Sequence, residues 1–83
     1  MCLGVPARIV SISPERPHVA TVDVRGTERD VNIAIIQPDK PQPGTWVDIH
    51  MGMAVAVLEP DEARASLEFL DDLERAATEY LTG

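Results

Sequence analysis

TWVDIHMGMAVAVL, residues 45–58, is the stretch whose reading decides the fold. Trp46, Asp48 and His50 alternate with Val47 and Ile49, and after Met51-Gly52 the run resumes as MAVAVL. Alternation with a period of two over short stretches marks strands. Gly52 in the middle of the run reads as a bulge or bend that turns one strand into two. Working outward, the same signature recurs upstream. ARIVSIS, residues 7–13, is rich in β-branched side chains and stops at Ser-Pro-Glu-Arg-Pro. In HVATVDV, residues 18–24, Ala20, Val22 and Val24 form a core face, opposed by Val19, Thr21 and Asp23. His18, beside a turn, is a surface residue. Arg25-Gly26-Thr27 is a short turn, and Glu28 to Ile36 returns as the second arm of a hairpin, with Val31, Ile33 and Ile35 supplying its alternation. Gln37 to Gly44, QPDKPQPG, is a stiff loop whose length suits a crossing over the top of a barrel.

Five short strands with no helix between them exclude a parallel sheet, because parallel crossovers need a dozen or more residues. The expected fold is therefore mainly β: a small antiparallel OB-like β-barrel of about five strands. Downstream the period changes. Pro60 suits a first helical turn, Asp61 and Glu62 favour the positive end of the helix dipole, and Ala63, Leu67, Leu70, Leu73, Ala77 and Leu81 recur at three- and four-residue steps. One C-terminal amphipathic α-helix follows. Its apolar stripe must bury against the barrel or a partner; intramolecular packing is the default, with Phe69 and Tyr80 on the flank as partner contacts.

A chain of 83 residues makes one domain, 1–83, with the barrel in 1–58 and the helix in 59–83. One cysteine forbids an internal disulfide, and no zinc-type cluster replaces it, so stability rests on packing. The formal net charge of -7 argues against a nucleic-acid partner, since that affinity rests on Lys and Arg neutralising phosphates. Most of the excess charge lies in residues 59–83, as a solvated helix face or a docking surface for a basic patch. No basic start precedes a long apolar run and no segment approaches membrane-spanning length. The unpaired thiol fits a reducing compartment, so the expected location is the cytoplasm.

Two side chains stand out chemically. Cys2 lies in MCLGVPARI, residues 1–9, where a structural cysteine is out of place, because chain termini are exposed unless something ties them down. Trimming of Met1 would leave a free amine beside the thiol; an α-amine near ~8 next to a thiol near ~8.5 favours thiolate, the form that binds soft metals. Gly4 allows a turn or close approach and Pro6 stiffens the chain, which together hold Cys2 outward. The bland reading is an incidental cysteine. His50, at the end of a strand before the Gly52 bend, is by itself more often structural than part of a site.

MCLGVPARI resembles the N-terminal signature of the hydrogenase assembly chaperones of the HypC/HupF type: Met-Cys, aliphatic, Gly or Ala, aliphatic, Pro, any residue, a long polar or basic residue, aliphatic. Trp46-Val47, His50 and Gly52-x-Ala54 are similar to that family's second motif, and Arg29-Asp30-Val31 looks like its Arg-Asp-Val. The bland alternative for Arg29 and Asp30 is a surface ion pair or turn contact. Met53 departs from the aromatic common in the family. The resemblance implies that Cys2 carries iron with His50 as the accompanying residue, the iron being transient, as Fe(CN)2CO shared with a partner. It implies two partners, a HypD-type iron-sulfur scaffold protein and the [NiFe]-hydrogenase large-subunit precursor. Cys2, Leu3, Gly4, Val5 and Pro6 are the expected contact segment, and no turnover of its own is implied. Neither donor alone completes an iron coordination sphere. Two other classes are weighed against this reading. A thiol-dependent redox protein lacks a second cysteine to resolve an intermediate. An OB-like nucleic-acid binding module is disfavoured by charge and by the scarcity of strand aromatics.

Overall fold

Burial of alternate side chains carries each strand into a closed wall. The computed structural model describes residues 4–82, which form β1 (Val5–Ile12), β2 (Val19–Val24), β3 (Thr27–Asn32), a 3₁₀ turn (Ala34–Asp39), β4 (Trp46–His50), β5 (Met53–Leu58) and α1 (Pro60–Thr82). The strands close into a barrel in the order β1-β2-β3-β5-β4. Ala7, Ile9, Ala20, Val22, Val31 and Val47 point inward and are excluded from water, as the alternation requires.

Strand β1 departs from strict alternation, and the departure explains its apolar pattern. Its pairing with β2 shifts by one residue between Ile9 and Ser11, so Val10 is an extra residue that bulges outward and is exposed. Ile9 therefore faces Val22 and Ile12 faces Ala20, both on the core side although three positions apart. The two tight hairpins rest on left-handed backbone. Arg25 and Gly26 join β2 to β3 with φ of 53° and 95°, and Met51 and Gly52 join β4 to β5 with φ of 53° and 78°. Positive φ at both central residues is the mark of a type I′ turn, whose twist matches the strands it connects. The bend expected at Gly52 is this turn; the irregularity in pairing falls between Asp48 and Ile49 instead.

Two expectations need correcting. The segment from Glu28 to Ile36 is not one strand: β3 stops at Asn32, and Ala34–Asp39 coils into the 3₁₀ turn. The Asn32 side-chain oxygen accepts a hydrogen bond from the Ala34 N–H at 2.8 Å, which diverts the chain from the ladder. Ile33 and Ile36 are buried as a result, at the spacing of a 3₁₀ turn, and Ile35 faces solvent at 53% exposure. The barrel is also mixed. Four of its ladders are antiparallel, but β3 meets β5 in parallel at Asn32 and Met53. Residues 33–52, which include the 3₁₀ turn and β4, supply the long crossover that such a pairing demands.

Helix α1 begins with Pro60, and the Glu59 N–H donates to the Glu62 carboxylate at 3.0 Å, half of a capping box. Packing uses only its first part. Ala63 is buried and Leu67 and Leu70 are half-buried, whereas every residue from Asp71 to Leu81 is exposed. The expected packing of the apolar stripe against the barrel thus holds for the first three turns and fails beyond them. The molecule measures 50 × 21 × 20 Å. Arg25, on the β2–β3 turn, ties the helix beyond its first three turns to the barrel: its guanidinium donates to Asp71 at 2.5 Å and to both carboxylate oxygens of Glu74. That hydrogen bond holds the Glu74 carboxyl below its ordinary range, and the Arg25 guanidinium is raised in turn. Among the described residues no helix is long and apolar enough to cross a membrane.

Candidate functional site

Pairing of β1 with β4 brings the two signature stretches side by side. Val5 lies opposite Ile49 and Pro6 opposite Asp48, so the chain enters β1 next to the strand end that carries His50. Cys2 and Leu3 lie outside the described residues. Pro6, which donates no hydrogen bond, falls where β1 pairs on one side only, because the ladder to β2 starts at Arg8. It is almost fully buried, so it anchors the strand from within. Gly4 and Val5 are half-buried.

Two cavities flank this entry. One, of about 220 Å³, lies between Gly4 and the near half of α1, lined by Ala65, Ser66, Phe69 and Leu70. The structure thus brings the expected contact residues Gly4 and Phe69 together, whereas Tyr80 stands apart on the exposed outer helix. The second, of about 330 Å³, sits at the mouth of the barrel. Its walls are Val5 and Val24, then Arg29, Asp30 and Val31, then Ile49, Met51 and Gly52. All three signature stretches contribute to it. His50 is half-buried between two of its lining residues and pairs with Met53 across the hairpin.

The surface ion pair weighed for Arg29 and Asp30 does not form. Asp30 accepts a hydrogen bond from the Thr21 hydroxyl at 2.8 Å, and among the described residues Arg29 has no acidic partner. Among the described residues no three His, Asp or Glu side chains gather closely enough to hold a metal ion.

Three features escaped the sequence reading. Met51 carries a left-handed backbone that bulky residues rarely adopt, and its thioether side chain is 88% exposed at the barrel mouth. The Met-Gly pair was a legible turn signal, but nothing local showed where the turn would point. Asp48 packs its carboxyl group on Gly4, a contact made across two strands. Arg25 reaches residues 46 and 49 positions away, a separation that no local pattern encodes.

A five-stranded barrel with a trailing helix, with parts of its three signature stretches drawn together at one mouth, defines a small, mainly β module. The chain belongs to the HupF/HypC family, whose profile matches residues 1–70. It is 38% identical over 76 residues to the hydrogenase maturation factor HybG of Escherichia coli K12, covering 89% of this chain and 93% of that protein. It is also similar to the hydrogenase maturation factor HypC of Rhodobacter capsulatus, 40% identical over 78 residues, covering 92% of this chain and 81% of the relative. The HypC of E. coli K12 is 36% identical over 77 residues, at 88% and 82% coverage.

Proposed function

We propose that this chain is a [NiFe]-hydrogenase maturation chaperone. With a HypD-type scaffold protein it holds an iron bearing cyanide and carbon monoxide through Cys2, and it delivers that iron to the hydrogenase large-subunit precursor. It turns over no substrate of its own. The observation that carries the reading is the convergence of Val5, Arg29-Asp30-Val31 and Ile49 to Gly52 around one cavity, beside the strand end bearing His50. A rigid barrel holds these groups in fixed relation, and a thiolate two residues ahead of Gly4 supplies a soft donor suited to low-spin Fe(II). His50 serves as a second donor or as a hydrogen-bonding neighbour, and the partner and the diatomic ligands supply the rest.

The test is coexpression with a candidate scaffold protein, anaerobic purification and infrared spectroscopy. Cyanide and carbonyl stretches are expected in the complex. Cys2→Ala should abolish them while circular dichroism and melting stay unchanged. Full bands in the Cys2→Ala complex would sink the reading, and His50→Ala with intact bands would restrict His50 to a supporting role.

A further inference from the structure

Gly4 differs from the other described glycines. Gly26, Gly44 and Gly52 sit at positive φ with open space around them, so each serves a turn. At Gly4, by contrast, what is missing is room for a side chain. A Cβ placed there would fall 1.9 Å from Asp48 Oδ1, 2.4 Å from Asp48 Cγ and 2.7 Å from Asp48 Oδ2. The whole carboxyl group of Asp48 therefore rests on the bare Cα of Gly4.

Among the described residues nothing polar explains that placement. Among the described residues Asp48 has neither a hydrogen-bond partner nor an ion pair for its side chain. Trp46, Asp48 and His50 occupy alternate positions of β4, so the group that meets Gly4 is two residues from His50 and on the same side of the strand. Gly4 also borders the cavity lined by Ser66 and Phe69. The residue that leads into β1 is thus bounded by a carboxyl group and by a helix. Chain connectivity extends the consequence to the thiol, which lies two residues ahead of Gly4 in the sequence.

We propose that Asp48 is a positioning residue, whose carboxyl group interlocks with the side-chain-free Gly4 and sets the course on which the N-terminal segment leaves the barrel, and hence where Cys2 meets its cargo relative to His50. This rests on the reading of Cys2 as the iron-carrying thiol. The interlock works through shape. Gly4→Ala forces either the carboxyl group or the segment to move, and shortening Asp48 restores the room.

The single cysteine makes the test specific, because a nitroxide label attaches only at Cys2. Full-length wild type, Gly4→Ala, Asp48→Ala and the double variant are compared by electron paramagnetic resonance of that label, with melting curves to establish folding. Gly4→Ala and Asp48→Ala should each alter the label's rotational correlation time by at least twofold. The double variant should return most of the way to wild type, and Asp48→Asn, which keeps the shape without the charge, should retain the wild-type spectrum. In the scaffold complex, Gly4→Ala should lower the infrared band intensity at least fivefold, and adding Asp48→Ala should recover more than half. Unchanged label motion in both single variants, or defects that simply add in the double variant, would overturn the interlock. If Gly4→Ala does not fold, Asp48→Ala against Asp48→Asn decides by the same spectra. Absence of bands in the wild-type complex would count against the function reading, while the label spectra still judge the interlock.

Discussion

In the barrel, Ile9, Val22, Ile33 and Val47 are withdrawn from water, whereas on the outer half of α1 Leu73 keeps 49% and Leu81 80% of its surface exposed. Both regions carry regular apolar patterns in the sequence, period two in one and three to four in the other. The difference is what each pattern finds to face. A closed wall gives every inward side chain neighbours on all sides, so burial and backbone pairing support one another. Among the described residues the helix is half-buried only as far as Leu70, after which Arg25 ties it to the barrel at Asp71 and Glu74. Periodicity therefore establishes that an element forms, but not that its apolar face is covered within the same chain.

Core truncation should break this contrast most strongly. Ile33→Ala removes a fully buried side chain and should cost about 2–5 kcal/mol in urea unfolding, a large share of the stability of a domain this small. The turns come next. Gly52→Ala meets no neighbouring atom, so its effect is the backbone cost of a left-handed residue, about 1–2 kcal/mol by the same measurement.

Loosening the helix tie should act locally. In Arg25→Ala, amide exchange across residues 71–82 should quicken while protection in β1 to β5 stays as it was; equal acceleration in the barrel would show that the two regions unfold as one unit. Acid should mimic this change. Because Arg25 holds the Glu74 carboxyl below its ordinary value of 4.5, the tie is fully present above that value and is lost as pH falls through the lowered one. Added salt should weaken it in the same direction. The smallest effect belongs to Leu81→Ala, expected to leave stability within about 0.5 kcal/mol. A larger loss would mean that the outer helix is covered in solution.

The sequence reading succeeded where the signal is local. Alternation in residues 19–24 located a strand and its core face, alternation in 46–58 located two more strands, the period change at Glu59 located the helix, and residues from the stretches around Gly4, Arg29 and His50 line one cavity in the fold. It failed where two local patterns coincide or where contacts span the chain. Val31, Ile33 and Ile35 alternate as a strand would, yet Ile33 and Ile36 satisfy a 3₁₀ turn equally well, and the Asn32 side chain tips the balance. The parallel meeting of β3 and β5, the reach of Arg25 to α1 and the contact of Asp48 with Gly4 all depend on tertiary arrangement. Stripe spacing alone did not reveal that the helix would outrun its support.

The parallel meeting of β3 and β5 has a mechanical consequence. A single residue pair, Asn32 with Met53, whose bonding includes a 3.0 Å hydrogen bond from the Asn32 N–H to the Gly52 carbonyl, forms the seam that makes a cylinder out of a ribbon. Every other junction between neighbouring strands has several rungs, so this zip is the first to part when the wall breathes. The hairpin that carries His50 and Met51 hangs directly from it. Small strains applied at that hairpin by a docking protein would therefore be absorbed by parting one rung, leaving the remainder of the cylinder shut.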